Sequence, residues 1–249
     1  MPPPSTPQAQ LVRAATGSAP ATPTNAPISK TWAQIFPTQV ESAEQSLKFV
    51  QKLLAVGVSN VTYLRNTFPK EAFKPGKALG KVPVKMLKST NPIKEAGCLA
   101  AYIISAMEAI GQKFLRELHL IIHQDGNLNT VLEVYTFRSV RFIVEFPMNY
   151  MLKNRFTYSE DGNVLLEMGV ERGGSREVTQ ADIKKATVSL LQTLLDHTQG
   201  LPPLPDNCFL TVDLTYYDEK VPVDYQPEGF KESAIFQVPS GENIQEFKW

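Results

Sequence analysis

An α+β fold, with three helices packed on one face of a small antiparallel sheet, is predicted by three features of the sequence. Three segments repeat apolar residues at three- and four-residue steps and carry start and stop signals at their ends. Runs that alternate apolar with polar residues flank turn signals, as antiparallel strands do. The last of these runs, Cys208–Tyr217, alternates so regularly that only one of its faces is expected to be buried.

The first 31 residues are rich in Pro, Ala, Thr and Ser. They are expected to form a disordered tail, because they cannot bury enough apolar surface to offset their ordering entropy. No basic segment followed by an apolar one marks a secretory signal. Order is expected from Trp32. Ala43, Leu47, Val50, Leu54, Val58, Val61, Leu64 and Phe68 then keep a helical period, with Thr38 and Glu41 as a capping box and Pro69 as the stop. A helix this long and apolar belongs at the centre of the core. Residues 70–90 space their lysines as a helix face would, but Pro75, Gly76, Gly80 and Pro83 break it. An irregular, solvated connection with a short extended piece at "VPVKML" is expected there.

The second helix is expected from Asn91 as cap and Pro92 in the first turn. Ile93, Ala96, Ala100, Ile103, Ile104, Met107, Ile110 and Phe114 form its stripe. "LRELHLIIHQ" and "TVLEVYTFR" read as strands about the turn signal "DGN". Thr179 with Asp182 opens the third helix, which runs through Ile183, Thr187, Leu190, Leu191 and Leu194 and closes at Gly200, Pro202 and Pro203. In the last strand Cys208, Leu210, Val212, Leu214 and Tyr216 share one face, and Phe209, Thr211, Asp213, Thr215 and Tyr217 the other.

The 249 residues are 43% hydrophobic and 20% charged with zero net charge, which implies no general attraction to nucleic acid or membrane. Cys98 and Cys208 are too few for a disulfide framework and read as reduced core thiols. Glu117, His119, Ile121, His123 and Asp125 would share the solvent face of one strand. Zinc needs a third or fourth ligand that is not signalled nearby, so this reads as a polar outer face. His197 falls in a helix's last turn, where a cation complements the dipole. No nucleophile elbow, phosphate loop, dinucleotide fingerprint or Cys-x-x-Cys pair occurs. No catalytic residue, metal ligand or cofactor is therefore expected, and the chain reads as a non-enzyme. Lys70–Lys94 carries seven lysines against one acid, whereas residues 206–249 carry nine acids against three lysines. The basic stretch reads as a solvated loop, with a direct DNA contact as the alternative.

"TYYDEKVPVDYQPEGF", residues 215–230, opens as a strand and becomes irregular, because Pro222 and Pro227 exclude a helix interior and a central strand. It nevertheless carries three tyrosines and a phenylalanine. If Cys208–Tyr217 lies at a sheet edge, its unpaired backbone is a template for an added strand. A proline-punctuated aromatic segment that crosses over that strand would hold it in place. "SAIFQVP" and "NIQEFKW" would form a hairpin anchoring the far end of such a strap.

"FPTQVESAEQSLKFVQKLLAVGVSNVTYLRNTFP", "LEVYTFR" with "FTYSEDGN", and above all "LTYYDEKVPVDYQPEGF" resemble the HORMA-domain proteins of the meiotic chromosome axis, nematode members in particular. The resemblance covers residues 32–249 and favours the meiotic branch over the spindle-checkpoint and DNA-repair branches. It implies a HORMA fold whose core is residues 32–217 and whose C-terminal safety belt is residues 218–249. It also implies a closure-motif peptide held against the edge strand. The peptide-binding residues would be Phe209, Thr211, Asp213, Thr215, Tyr216, Tyr217, Asp218, Tyr225, Pro227 and Phe230. Partners implied are closure motifs of other axis or HORMA proteins, and the place of action implied is the nucleus, on meiotic chromosomes.

One departure stands out. "LEVYTFR" and "FTYSEDGN" would run on as one strand and turn in the family pattern, but residues 139–155, "SVRFIVEFPMNYMLKNR", separate them. A loop accepts polar, glycine-rich insertions, and this one alternates Val140, Phe142, Val144 and Phe146 with charged residues. It reads as an insertion foreign to the native chain, of the kind left by a short in-frame intron. It is expected to stand out as a loop or irregular hairpin, with Leu132–Arg138 and Phe156–Ser159 kept in the sheet.

Overall fold

The computed structural model describes residues 6–12, 28–124, 128, 130–139, 150–158, 163–172, 179–217, 219, 221–234, 236 and 245–247. For 6–12, 28–30, 139, 150–158, 163–172 and 245–247 the description is of the backbone alone. The chain opens with strand β1 (Thr6–Val12) and helix α1 (Ile28–Ile35). The expected disordered tail is thus corrected at both places: seven of its residues are ordered by strand partners, and regular structure begins before Trp32. Trp32 explains the helix. It is 1% exposed, with its ring 4.6 Å from that of Phe36 and 6.0 Å from that of Phe49, and its indole N–H donates to Pro37 O.

A helix apolar on every side has to be wrapped by other elements. Helix α2 (Ala43–Leu64) is wrapped in this way over its second half, with every residue from Leu53 to Tyr63 buried, while Glu44 and Lys48 in its first half are exposed. It starts later than the sequence suggested. Ser42 is the N-cap and forms a capping box with Gln45, while the backbone N–H of Val40, inside the expected first turn, donates to Gln180 Oε1. Residues 70–90 are not a solvated loop. The hairpin of β2 (Lys77–Leu79) and β3 (Val82–Val84) packs on α2 and buries Phe73, Leu79, Val82, Val84 and Leu87. The backbone N–H groups of Lys85 and Leu87 donate to Asn60 Oδ1 and Ser59 Oγ, which satisfies the polar groups that α2 buries. Helix α3 (Lys94–Gly111) begins later than expected, with Ile93 as its N-cap; Asn91 accepts from the Ile93 N–H through Oδ1 and donates from Nδ2 to Ala72 O.

The remaining elements are β4 (Leu115–His123), β5 (Val131–Ser139), β6 (Tyr150–Tyr158), β7 (Asn163–Arg172), α4 (Gln180–Gly200), β8 (Phe209–Tyr216), β9 (Glu232–Ser233) and β10 (Gln245–Phe247). Helix α4 starts where expected, with Thr179 and Asp182 in a reciprocal capping box. The main sheet has the order β10-β6-β7-β5-β4-β8-β1-β9, and every described pair is antiparallel except β5 with β7. The α+β class holds, with a fourth short helix and a larger, mixed sheet. Leu118, Leu120 and Ile122 of β4, Tyr135 and Phe137 of β5, and Leu210, Val212 and Leu214 of β8 face the helices. Gly57 permits the close approach of α2 to this face, since a Cβ there would lie 2.7 Å from the Phe137 ring.

Residues 139–155 fall at a change of strand direction. Leu132–Arg138 lies in β5 and Phe156–Tyr158 in β6, but Tyr150–Arg155 extends β6 instead of forming a loop; residues 140–149 and Ser159 lie outside the described residues. Strand β7 sits between β5 and β6, parallel to one and antiparallel to the other. Glu167 is the register partner of both Arg138 and Arg155. Joining Arg138 directly to Phe156 would therefore continue the β6–β7 register without a break, with β5 and β7 now antiparallel. A chain lacking 139–155 is expected to unfold cooperatively with an unchanged or higher Tm, and a mature transcript is expected to lack those codons. A Tm lowered by more than about 5 °C would show the segment to be integral.

Candidate functional site

The site is built around β8. Its core-facing residues are as the alternation predicted, but its other face is covered too: Thr211 and Asp213 are both 0% exposed. The expectation of one buried face fails because distant parts of the chain provide the cover, among them Phe236, whose ring lies 5.9 Å from that of His119. The histidines read as solvent-facing are likewise buried and engaged. His119 bonds to Thr136 Oγ1 at 3.0 Å and lies 3.2 Å from Glu117, and His123 bonds to Thr211 Oγ1 at 2.9 Å with its ring stacked on Phe209. Among the described residues no group of three His, Cys, Asp or Glu is placed to hold a metal.

The expected edge is not open. Gln8–Val12 of β1 pairs antiparallel with Phe209–Asp213, and on its other side β1 meets β9 through Thr6 with Ser233 and Pro7 with Glu232. An extended segment therefore lies in the sheet between β8 and the chain that follows β8.

That following chain is pinned to α3 and to the α3–β4 corner. The Tyr217 N–H donates to Phe114 O, and the Tyr225 ring packs edge-on against Phe114 at 5.0 Å and Tyr216 at 5.6 Å. Pro222 and Pro227 each accept a backbone bond three residues on, from Tyr225 and Phe230, so the prolines close tight turns. Ser105 Oγ donates to Glu228 O, and the Gln226 amide donates to Phe230 O. Phe230 is 6% exposed, 5.1 Å from the Tyr102 ring, and its burial is worth about 1.5–3 kcal/mol. Gly229 makes that approach possible. Its φ of +84° is open to glycine, and a Cβ would lie 2.7 Å from Tyr102. Farther on, β10 joins β6 at the opposite end of the sheet order.

Of the ten residues proposed from sequence, Phe209, Thr211 and Asp213 lie on β8 beside β1, Thr215 and Tyr216 lie on β8 beyond the end of β1, and Tyr217 follows the strand. Tyr225, Pro227 and Phe230 anchor the crossing chain on the helical side, while Asp218 lies outside the described residues. Sequence reading missed Arg65 and Glu133, a buried ion pair that joins the end of α2 to β5. The one signal for it was the parity of Glu133 with the core residues Tyr135 and Phe137.

The polar atoms of β8 are short of partners. Among the described residues, the buried side-chain atoms with none are Gln180 Nε2, both carboxylate oxygens of Asp213, Thr215 Oγ1 and Tyr216 OH. Burial, and then the charge of Glu117, push the Asp213 carboxyl up to about 8. Burial would raise Glu117 too, but its contacts with His119 and Arg138 outweigh that and hold it at about 2. Burial followed by Tyr225 and Asp213 raises the Tyr216 phenol well above its usual range. Such a strand can offer acceptors and an apolar stripe to an extended ligand.

The profile of the HORMA domain family matches residues 46–248. HORMA domain-containing protein 1 of Mus musculus is 33% identical over 201 residues, 80% of this chain and 47% of that protein. The Xenopus laevis protein of that name is 34% identical over 199 residues, 80% and 46%. This chain thus spans about half the length of these relatives. In fold it is similar to C. elegans HTP-2 bound to HTP-3 motif-6, with a TM-score of 0.62 at 20% identity over 85% of this chain and 87% of the other. HTP-2 bound to the HIM-3 closure motif gives 0.61 at 19%, over 84% and 85%. These sequence relatives are vertebrate and the nematode structures share the fold alone, so the narrower nematode likeness is not carried by them.

Proposed function

This chain belongs to the HORMA-domain family, and from that premise we propose that it is a non-enzymatic adaptor of the meiotic chromosome axis that captures closure-motif peptides. The observation that carries the reading is the strand seated between β8 and β9. A groove that completes its sheet with an added strand takes affinity from backbone bonds and specificity from alternate side chains. The crossing segment 218–249 acts as the safety belt, with Tyr225 and Phe230 as its buckle on α3. The peptides come from other axis or HORMA proteins in the nucleus. Their capture brings this chain to meiotic chromosomes and supports axis assembly, homologue pairing, synapsis, crossover control and checkpoint signalling. The acidic balance of residues 206–249 favours peptides with basic residues.

Affinity capture from meiotic tissue with the full chain, followed by mapping of the bound peptide, tests this. A chain ending at Asp218 is expected to lose peptide capture completely while its helical core still unfolds cooperatively. Retained capture would mean that the belt does not hold the ligand.

A further inference from the structure

The place beside β8 is taken by this chain's own residues, Thr6–Val12. "TPQAQLV", with its proline and two glutamines, has weak strand propensity, so it is ordered by what flanks it. Gln8–Val12 complete β8 on one side, and Thr6 and Pro7 pair with β9 on the other. Pro7 stands near the start of the strand, where a missing N–H is tolerated.

We propose that Thr6–Val12 is a resident ligand of the chain's own groove, held in cis beneath the belt, which every partner peptide must displace. This rests on the peptide-capture reading above. Residues 13–27 connect β1 to α1, and fifteen residues reach roughly 50 Å when extended. A folded body of this size has a radius of gyration of about 18 Å, so a chain of that length is long enough to span it. Tethering of this kind holds a ligand at about millimolar local concentration, well above what a second copy reaches at ordinary protein concentrations.

The resident is also displaceable. Its register with β8 ends at Asp213, so Leu214–Tyr216 have no partner on β1. Asp213, Thr215 and Tyr216 are the residues of β8 whose polar atoms go unsatisfied. A peptide that pairs farther along β8 and brings donors to these atoms makes bonds the resident leaves unmade. A groove open only one part in a hundred binds its partner about 100-fold more weakly than an empty one, so the tail sets a threshold that only such peptides pass.

The test compares the full chain with its Ala9→Pro, Gln10→Pro form. Successive N–H groups of a strand point to opposite edges, so one of the two prolines must remove a donor to β8. The wild-type chain is expected to be a monomer by light scattering, with the amides of residues 8–12 protected from hydrogen exchange. The double variant should take up a fluorescein-labelled peptide of residues 1–15 at least tenfold faster than the wild type. Equal uptake, unprotected amides at 8–12, or protection that depends on dimer formation each overturns the proposal. Both forms are also offered a random peptide display library. A double variant that enriches library peptides yet refuses the 1–15 peptide leaves peptide capture standing and removes the resident ligand. Enrichment by neither form removes both.

Discussion

Arg65→Ala is expected to destabilise the fold by about 3–5 kcal/mol, the usual cost of leaving one member of a buried ion pair uncompensated. Arg65 caps α2, and its guanidinium donates from Nε to Glu133 Oε2 at 2.9 Å, from a terminal nitrogen to Glu133 Oε1, and to Pro202 O at 2.7 Å. Tyr135 OH also donates to Glu133, and both charged side chains are 6% exposed. Removing the cation strands a carboxylate between α2, β5 and the α4–β8 connection. For a chain of this length the loss corresponds to a fall in Tm of roughly 6–20 °C. Arg65→Met with Glu133→Leu should recover most of it, because the charge left without a partner is what costs, more than the loss of the pair. Thermal unfolding measures both, and a loss below about 1 kcal/mol in the single variant would contradict the described geometry.

Asp213→Asn is expected to flatten the dependence of stability on pH. The carboxyl ordinarily releases its proton near 3.8, and in the fold it does so at about 8. Between those values the folded chain holds a proton that the unfolded chain has lost. Stability therefore declines as pH rises from about 4 to 8 and is level above that. The full shift integrates to about 6 kcal/mol at most. Glu117, held at about 2, acts in a separate window, since its contribution is present above about 4.5 and is lost as the pH falls through 2. Unfolding midpoints in denaturant at pH 5 and pH 8 distinguish the two. Wild type should lose stability between them, and the variant should lose much less. Parallel pH profiles for the two chains would show that Asp213 does not titrate in this range.

What was legible in the sequence was local. Thr179 and Asp182 lie three residues apart and announced α4, and the parity of Cys208–Tyr216 assigned the core face of β8. The capping signal of Thr38 and Glu41 near α2 was overridden by tertiary context: the bond from Val40 to Gln180 spans the chain, and no local pattern encodes it. The burial of His119 and His123 was hidden for the same reason, because their cover arrives from elsewhere in sequence. Of the site, the aromatic residues and prolines of 215–230 marked an irregular crossing segment, and the strand β1 beside β8 gave no signal. "TPQAQLV" looks like tail and is ordered only by partners some two hundred residues away.

The position of β8 in the sheet has a consequence for synthesis. β4 needs β8 along one whole side, yet Phe209 is made roughly 90 residues after His123, a wait on the order of 5–20 s at ordinary elongation rates. During that interval the helical pair α2 and α3 can already pack, while the far edge of β4 stays open as a template for neighbouring nascent chains. Translation that pauses before Phe209 prolongs the exposed state. A slow codon there would favour aggregation, and a chaperone acting on this chain would meet it as a half-built sheet on the ribosome.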